Sequence, residues 1–557
     1  MSTKSQIKLI HEPFEDCATH VIITLINEHG RNKEVRKLGV VSNHDVFRKI
    51  KSEENVNLDN RYVKDFSMAR FREWAGLEKD AEVPIKDFTA LNTYFDLESS
   101  IDFSHAVFEG SASDMSNAIF GDGPVSFYHA KFNVNKVEFN SCHFGSGVTN
   151  FQFAEFNTKH VGFHNVVFED GDVQFISSSF GEAKISFKGA NFGDGKVDFH
   201  YSSFGNGNLT FDKAIFGGGE VSFKRVDFGD GKVDFKRVHF GNGQIDFSEA
   251  EFKSGKTVFR SAVFGNGDVI FDQVVSESDF IFDNAEFGSG KLSFFGARVG
   301  KLSFQLCHFN NYVDLRVEKV RKIDLSYTIV RDIIDLMPTE KYPVEMDELT
   351  FSGMRNLGNL YVDWRANNVL GLILSQEEST QKQKSEQFLI LKETYNATGR
   401  YADEDKAYIW YKRFELKADL EHALKKDPKN AIWAYPTAFS KWLLFDKIGL
   451  YATEPIRVLF SVSIVYTIFS LLYLILPFFA DTYIDTGGGD VLANMNEVAK
   501  AFYYSAITFL TIGYGEFYPV GIMRVFASIE GYVGVFLMGY FSVAFVRKVL
   551  RLSLIHI

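Results

Sequence analysis

Cysteine is scarce, with 3 in 557 residues, so a small disulfide scaffold is excluded. Proline is thin at 10, which excludes a disordered proline-rich chain. There is no basic excess. The 60 Lys+Arg stand against 72 Asp+Glu, a net charge of −12, so a nucleic-acid partner held by phosphate neutralisation is not expected. The N-terminus, MSTKSQIKLIHEPFEDC, has no apolar stretch of signal-peptide length and is expected to stay in the cytosol. Hydrolytic signatures are missing too: no H-E-x-x-H, no G-x-S-x-G and no Cys/His pair in a catalytic setting, so no enzyme is expected. The histidines, among them His129, His143, His200 and His239, have no zinc-ligand spacing, and no cofactor is expected. What the chain has in excess is 58 Phe and 44 Gly.

Aligned on Phe, the sequence repeats every 12 residues. Val125-Ser-Phe127-Tyr-His-Ala130-Lys-Phe132 is followed by Val137-Glu-Phe139-Asn-Ser-Cys142-His-Phe144, and the frame runs from Ile101 to Leu302. The consensus is V-x-F-x-x-A-x-F-G-x-G-x. Apolar residues at positions 1 and 3, and again at 6 and 8, predict two short strands per unit with alternate side chains inward. The G-x-G is expected to supply a corner where positive φ is easy. Units of fixed period stack as a solenoid. One coil per unit gives about 17 coils and a rod on the order of 80 Å long. Cys142 and Cys307 fall at position 6, the small inward slot, and read as packing residues. Ala250–Thr257 matches a relaxed phosphate-binding loop, but Lys256-Thr257 sits in strict repeat register at a corner, so nucleotide binding is not expected. The F-x-x-A-x-F core resembles the pentapeptide-repeat family, which implies a right-handed parallel β-helix. The 12-residue spacing departs from a strict run of fives.

Residues 1–100 break the repeat. Ala18–Asn27 reads as a strand, and the remainder is expected to cap the open end of a solenoid over 101–365. A helical linker follows over 376–436. Gln381–Thr398 carries Phe388, Leu391 and Tyr395 on one face with Gly399 as C-cap, and Asp403 is expected to N-cap a second helix carrying Ala407, Trp410 or Tyr411, and Phe414. This hairpin reads equally as a spacer or as a force-transmitting link. Over 437–454, Trp442, Leu443, Phe445 and Ile448 form an apolar stripe that predicts an interfacial helix, with Lys441, Asp446 and Lys447 elsewhere.

Val458–Phe479 is 22 residues without a formal charge, and Val525–Val546 is another 22 with one, Glu530. Each is long enough to cross a hydrocarbon core of ~30 Å. Lys441, Lys447 and Arg457 before the first span, and Arg547, Lys548 and Arg551 after the second, put both termini on the cytoplasmic side of a plasma or inner membrane. Asp481, Asp485, Asp490 and Glu497 lie between the spans. Leu552–Ile557 are all that follow Arg551, so regulation is expected to enter from the N-terminal side.

Between the spans, Glu497–Leu510 is helix-compatible and runs into Thr511-Ile512-Gly513-Tyr514-Gly515-Glu516. Two glycines let an extended segment turn successive carbonyls toward one axis, where they replace the hydration shell of a cation. This run resembles the selectivity filter of two-transmembrane potassium channels, and the resemblance covers Pro455–Arg551. It implies a homotetramer, K⁺ as the permeant ion at Thr511, Ile512, Gly513 and Tyr514, and support from Gly515, Glu516 and Thr508. Gly534, followed by Gly539, falls at the family's gating hinge; close helix packing is the other reading. The chain departs from the family at Glu516, where Asp is usual, at Leu510 for Thr, and at Ile507 for an acid. Glu530, an acid one turn inside a membrane helix, is expected to hydrogen-bond behind the filter to Ser505 or Thr508, or else to act at a gate or attract ions.

The reading is a multidomain potassium-selective channel whose β-solenoid regulates the pore or docks a cytosolic protein. A non-selective cation channel and a membrane-anchored interaction scaffold are the alternatives. No run of spaced Arg precedes the pore, so voltage sensing by a charged helix is not expected.

Overall fold

The computed structural model describes residues 8–12, 20–26, 32–96, 100–486 and 495–554. It divides into two compact units, Met1–Glu377 and Glu378–Ile557.

The first unit is a parallel β-solenoid, as the repeat predicts, but its coil is twice the sequence period. Val125–Ser126 pairs with Thr149–Asn150, and Lys136–Glu138 with His160–Gly162, each an offset of 24 residues. A 12-residue unit is therefore half a coil, not a whole one. Each unit supplies two sides, V-x-F and A-x-F, and the chain closes only after four: it starts sides at Val125, Lys131, Lys136 and His143 before returning to Thr149. One face stacks 12 strands between Ile101 and Tyr361. At ~4.8 Å per strand this stretch is about 50 Å long, shorter than one coil per unit implies.

The four sides bury four phenylalanine columns. Phe127 stacks on Phe151 at 4.7 Å, Phe132 on Phe156 at 4.9 Å, Phe163 on Phe187 at 4.7 Å and Phe192 on Phe216 at 4.6 Å, all within 6° of parallel. Neighbouring columns meet edge to face, as Phe139 and Phe151 do at 5.6 Å and 84°. Each such pair adds about 0.5–1.5 kcal/mol beyond the area it buries. The small slot between columns accepts a polar atom only if it reaches a carbonyl. Ser178 Oγ donates to Phe151 O at 2.7 Å, and Cys142 Sγ lies 2.9 Å from Met115 O in the equivalent place. Burial pushes the thiols of Cys142 and Cys307 up from their ordinary range, so both behave as small core residues.

The corners meet the expectation in part: the first glycine of the G-x-G is left-handed at Gly193, Gly205 and Gly229, at 60°, 59° and 61°. Left-handed φ also falls at position 5, on residues such as His129 (50°), Asn165 (52°) and Arg225 (55°), whose side chains leave the coil there. Several G-x-G glycines, Gly217, Gly219, Gly241 and Gly243 among them, are not left-handed. They are glycine because successive coils touch: a Cβ on Gly219 would lie 2.1 Å from the carbonyl oxygen of Gly195.

Coil stacking starts earlier than residue 101. The antiparallel strands Lys8–Glu12, His20–Ile26 and Asn32–Val41 lead into a parallel pairing of Gly39–Val41 with Arg61–Val63. The expected strand at Ala18–Asn27 is His20–Ile26; Ala18, Thr19 and Asn27 lie outside the described residues. Helices α1 (Asn43–Lys51) and α2 (Met68–Ala75), N-capped by Ser42 and Ser67, bring Phe47 and Phe71 together beside Phe66, which sits 4.9 Å from Phe103 at the head of a column. At the far end α3 (Val369–Leu374) buries Val369, Leu372 and Ile373 beyond the last coil, Asn359–Tyr361. Thr257–Val258 is a solenoid strand with no helix directly after it.

The second unit is helical. A capping box at Thr380 and Gln383 starts α4 (Gln381–Ala397), and Gly399 (φ 70°) turns the chain into α5 (Tyr401–Lys426). Arg400, not Asp403, is the N-cap residue of α5; Asp403 lies in its first turn and pairs with Arg400 at 2.6 Å. Phe388 stacks against Phe414 and Trp410, while Tyr411 hydrogen-bonds Glu415 at 2.6 Å, and burial pushes the Tyr411 hydroxyl up to about 12. Helix α6 (Ala431–Lys441) runs into a π-helical stretch, Trp442–Lys447, and leaves Ile432, Trp433, Tyr435 and Phe439 exposed, as suits a membrane surface. Asp446 is buried, held by Arg413 at 2.8 and 2.9 Å.

The adjacent glycines Gly218 and Gly219 test the close-contact argument. Gly219→Ala is expected to destabilise the solenoid by about 1–3 kcal/mol. Gly218→Ala, whose Cβ would meet only Asp194 Oδ1 at 3.7 Å, is expected to stay within about 0.5 kcal/mol of the parent. Urea unfolding of the purified chain in detergent reads the difference, and equal losses would refute it.

Candidate functional site

Pro455 starts α7 (Pro455–Ile475), its fixed φ suiting the first helical turn. At ~1.5 Å per residue this helix is about 31 Å long, the thickness of a hydrocarbon core. The last long helix is α9 (Met523–Leu554). Ile456, Phe460, Ile464 and Ile468 on α7, and Val525, Tyr532, Val535 and Val543 on α9, are exposed, an apolar surface that needs lipid or a neighbouring chain.

Between them α8 (Glu497–Phe509) is N-capped by the Asn496 side chain, which accepts from Val498 N at 3.0 Å. Its buried face, Ala501, Tyr504 and Ile507, packs with Tyr473, Ile484, Phe517 and Met523. The partially negative end of α8 adjoins the T-I-G-Y-G run. The helix closes tightly: Thr511 N donates to Thr508 O at 3.0 Å and Ile512 N to Ile507 O at 2.9 Å. From there left-handed φ recurs at every second residue, 52° at Thr511, 61° at Gly513 and 80° at Gly515, and not at Ile512 or Tyr514 between them. Such alternation turns successive carbonyls to one side, where a regular strand would send them to opposite sides. Thr511 to Glu516 are all exposed in the single chain, Tyr514 by 65%.

The far end of this loop is pinned. Phe517–Val520 pairs antiparallel with Tyr483–Thr486, and Arg524 Nε donates to Pro519 O at 3.1 Å. Tyr503 of α8 reaches Glu516 at 3.4 Å. Asp490 lies outside the described residues.

Glu530 is fully buried behind the loop. Its carboxylate accepts from Ser505 Oγ of α8 and from Tyr473 Oη of α7, the latter at 2.6 Å. One acid thus joins all three helices. Ser505 was legible from the sequence. Tyr473 was not, since no local pattern links positions 57 apart. Thr508 sits one turn further along α8, where its carbonyl closes the helix onto Thr511. Gly534 brings α9 against the end of α8: a Cβ there would lie 2.0 Å from Phe509 O. A Cβ on Gly539 would meet nothing within 4 Å, and α9 is continuous through both positions.

The model of an ion-channel family matches residues 458–551. Comparison with curated proteins and with solved structures gives no match. Residues 458–551 are therefore an ion-channel domain, and the chain is a membrane protein carrying a β-solenoid ahead of it.

Gly534→Ala is expected to force α8 and α9 apart and lower the melting temperature of the detergent-solubilised protein, at a cost of about 1–3 kcal/mol. Gly539→Ala is expected to leave it unchanged. The reverse order would remove the close-approach account.

Proposed function

We propose that the chain forms a potassium-selective channel as a homotetramer, with Thr511, Ile512, Gly513 and Tyr514 lining the ion path. The observation that carries this reading is the alternating left-handed φ at Thr511, Gly513 and Gly515. It turns carbonyls to one side, and one chain supplies only one quarter of a ring that can replace the hydration shell of K⁺. The exposure of Thr511–Glu516 fits a surface completed by three further copies. Gly515, Glu516, Thr508 and Glu530 support the filter, and Gly534 and Gly539 give α9 its close approach and its freedom to bend. Both termini face the cytoplasm, on the strength of Arg457 and Lys447 before α7 and Arg547, Lys548 and Arg551 at the end of α9. The solenoid is a cytosolic regulatory or docking arm.

A non-selective cation channel is the second reading. Glu516 favours it, being held from α8 only by the long contact with Tyr503.

Flux in proteoliposomes is expected under a K⁺ gradient and not under a Na⁺ gradient. Gly513→Ala, which must place a side chain at a φ of 61°, is expected to abolish it. Glu530→Gln retains a partner for Ser505 and Tyr473 and is expected to keep the K⁺ preference. Equal flux of both ions in the parent would select the non-selective reading. Deleting residues 1–365 is expected to leave a conducting channel with altered open probability; an unaltered value would make the solenoid a docking rod alone.

A further inference from the structure

Arg547 and Arg551 do more than mark a membrane side. They stand one turn apart on α9 and enter a stripe on α5 made of Tyr401, Glu404, Asp405 and Tyr408, spaced i, i+3, i+4 and i+7 on one helix face. Arg551 donates to Asp405 Oδ1 and to Glu404 Oε2, both at 2.5 Å, and Arg547 to Asp405 Oδ1 at 2.9 Å. Both acids are buried. The guanidinium of Arg547 lies 4.6 Å from the Tyr408 ring, and that of Arg551 lies 5.6 Å from Tyr401. Each arginine is thus flanked by carboxylates and a ring.

The same helix holds a second attachment. Arg413, further along α5, is bidentate to the buried Asp446, just before α7. Between Asp446 and α7 the chain turns through three consecutive left-handed residues, Leu450, Tyr451 and Ala452, at 44°, 56° and 60°. Gly449 packs against Tyr540 of α9 so closely that a Cβ would lie 1.8 Å from the ring. Helix α5 therefore braces the start of α7 and the end of α9 together.

The mechanical consequence follows from helix rigidity. Helix α9 is unbroken and is fixed against Phe509 at Gly534. From there to Arg551 is about 25 Å of helix. A lever fixed at one end can swing only if its other end is released, and that end is clasped to α5. Breaking the clasp leaves buried carboxylates uncompensated, so it has two discrete states and not a graded one.

We propose that the α4–α5 hairpin is a latch on the gate: the Tyr401–Glu404–Asp405–Tyr408 stripe, by holding or releasing Arg547 and Arg551, sets the open–closed equilibrium of the pore. This rests on the channel reading above. The hairpin begins at Gln381, four residues past the solenoid-bearing unit, so what binds or tensions the solenoid has a covalent route to the latch.

Single-channel recording of the full chain in planar bilayers tests it. Glu404→Gln, Asp405→Asn and Arg551→Gln are each expected to shift the open–closed ratio in the same direction by about 5- to 150-fold, the usual span of a coupling between sites. Unitary conductance and ion preference stay at parent values, which shows that the filter is folded. Arg551→Lys is expected to shift less than Arg551→Gln, and Glu404→Gln added to Arg551→Gln less than the two effects combined. Faster amide exchange over the first turn of α5 in Arg551→Gln gives a readout independent of conduction. Open–closed ratios within about twofold of the parent in all three variants, with the parent conducting, would overturn the latch and leave the channel reading intact. A parent chain that passes no ion would overturn the channel reading and the latch with it.

Discussion

Five residues of backbone, Thr511 to Gly515, are neither helix nor strand, and the channel domain is built to hold them. Backbone of this kind is tolerated at membrane depth only where it is packed in protein or lines a water-filled path. The loop has little hold of its own beyond the amides of Thr511, Ile512 and Gly513 that close it onto α8. Its position comes from its ends. At one end α8 is keyed to α7 and α9 through the single carboxylate of Glu530. At the other, the Tyr483–Thr486 and Phe517–Val520 pair and the Arg524–Pro519 bond fix the outgoing chain. A buried acid in a membrane helix is costly unless its oxygens are occupied, and here two hydroxyls from two different helices occupy them. The cost of burying the acid is what makes the three-helix junction specific: shifting any helix by a turn strands it.

The solenoid solves a different problem with one residue type. A coil that must close in four sides around its own side chains has room for one ring per side, and rings spaced by the strand separation stack without a gap. Phenylalanine meets that spacing through most layers and gives way to Leu315, Leu325 and Leu336 in the later coils. In the small slot between columns, Ser178 and Cys142 place their polar atoms where a carbonyl waits. Glycine is required where backbone meets backbone, and this is why the G-x-G keeps its glycines even at corners such as Gly217–Gly219 where φ is ordinary.

The fold was largely legible because its physics is periodic. Alternation at positions 1, 3, 6 and 8 says which side chains face inward, and the structure agrees. It does not say how many sides close a coil, since alternation is blind to the angle between successive strands. Hence the coil of 24 residues escaped a reading based on 12. In the same way a glycine announces either positive φ or close approach, and the sequence does not separate the two. The T-I-G-Y-G run was legible through resemblance, and Ser505 through its place on the helix before it. Tyr473 and the α5 stripe were not, because they meet their partners across 57 and more than 140 residues with no local pattern to mark the pairing.

Arg547 and Arg551 show how one residue satisfies two constraints that sequence reading treats separately. Positive charges at the end of an apolar helix bias that end toward the cytoplasmic side of a membrane. Left in water they would do no more. The partners they meet are not solvent but Glu404, in the first turn of α5 where the helix N-terminus itself favours negative charge, and Asp405 beside it. The acids are stable there without the arginines only at the cost of mutual repulsion in a buried place, and the arginines lose their water only by gaining both acids. Each side of the contact thus makes the other tolerable. A contact of that kind is stable when complete and costly when half made, and it joins the helix next to the solenoid-bearing unit to the helix that carries Gly534 and Glu530.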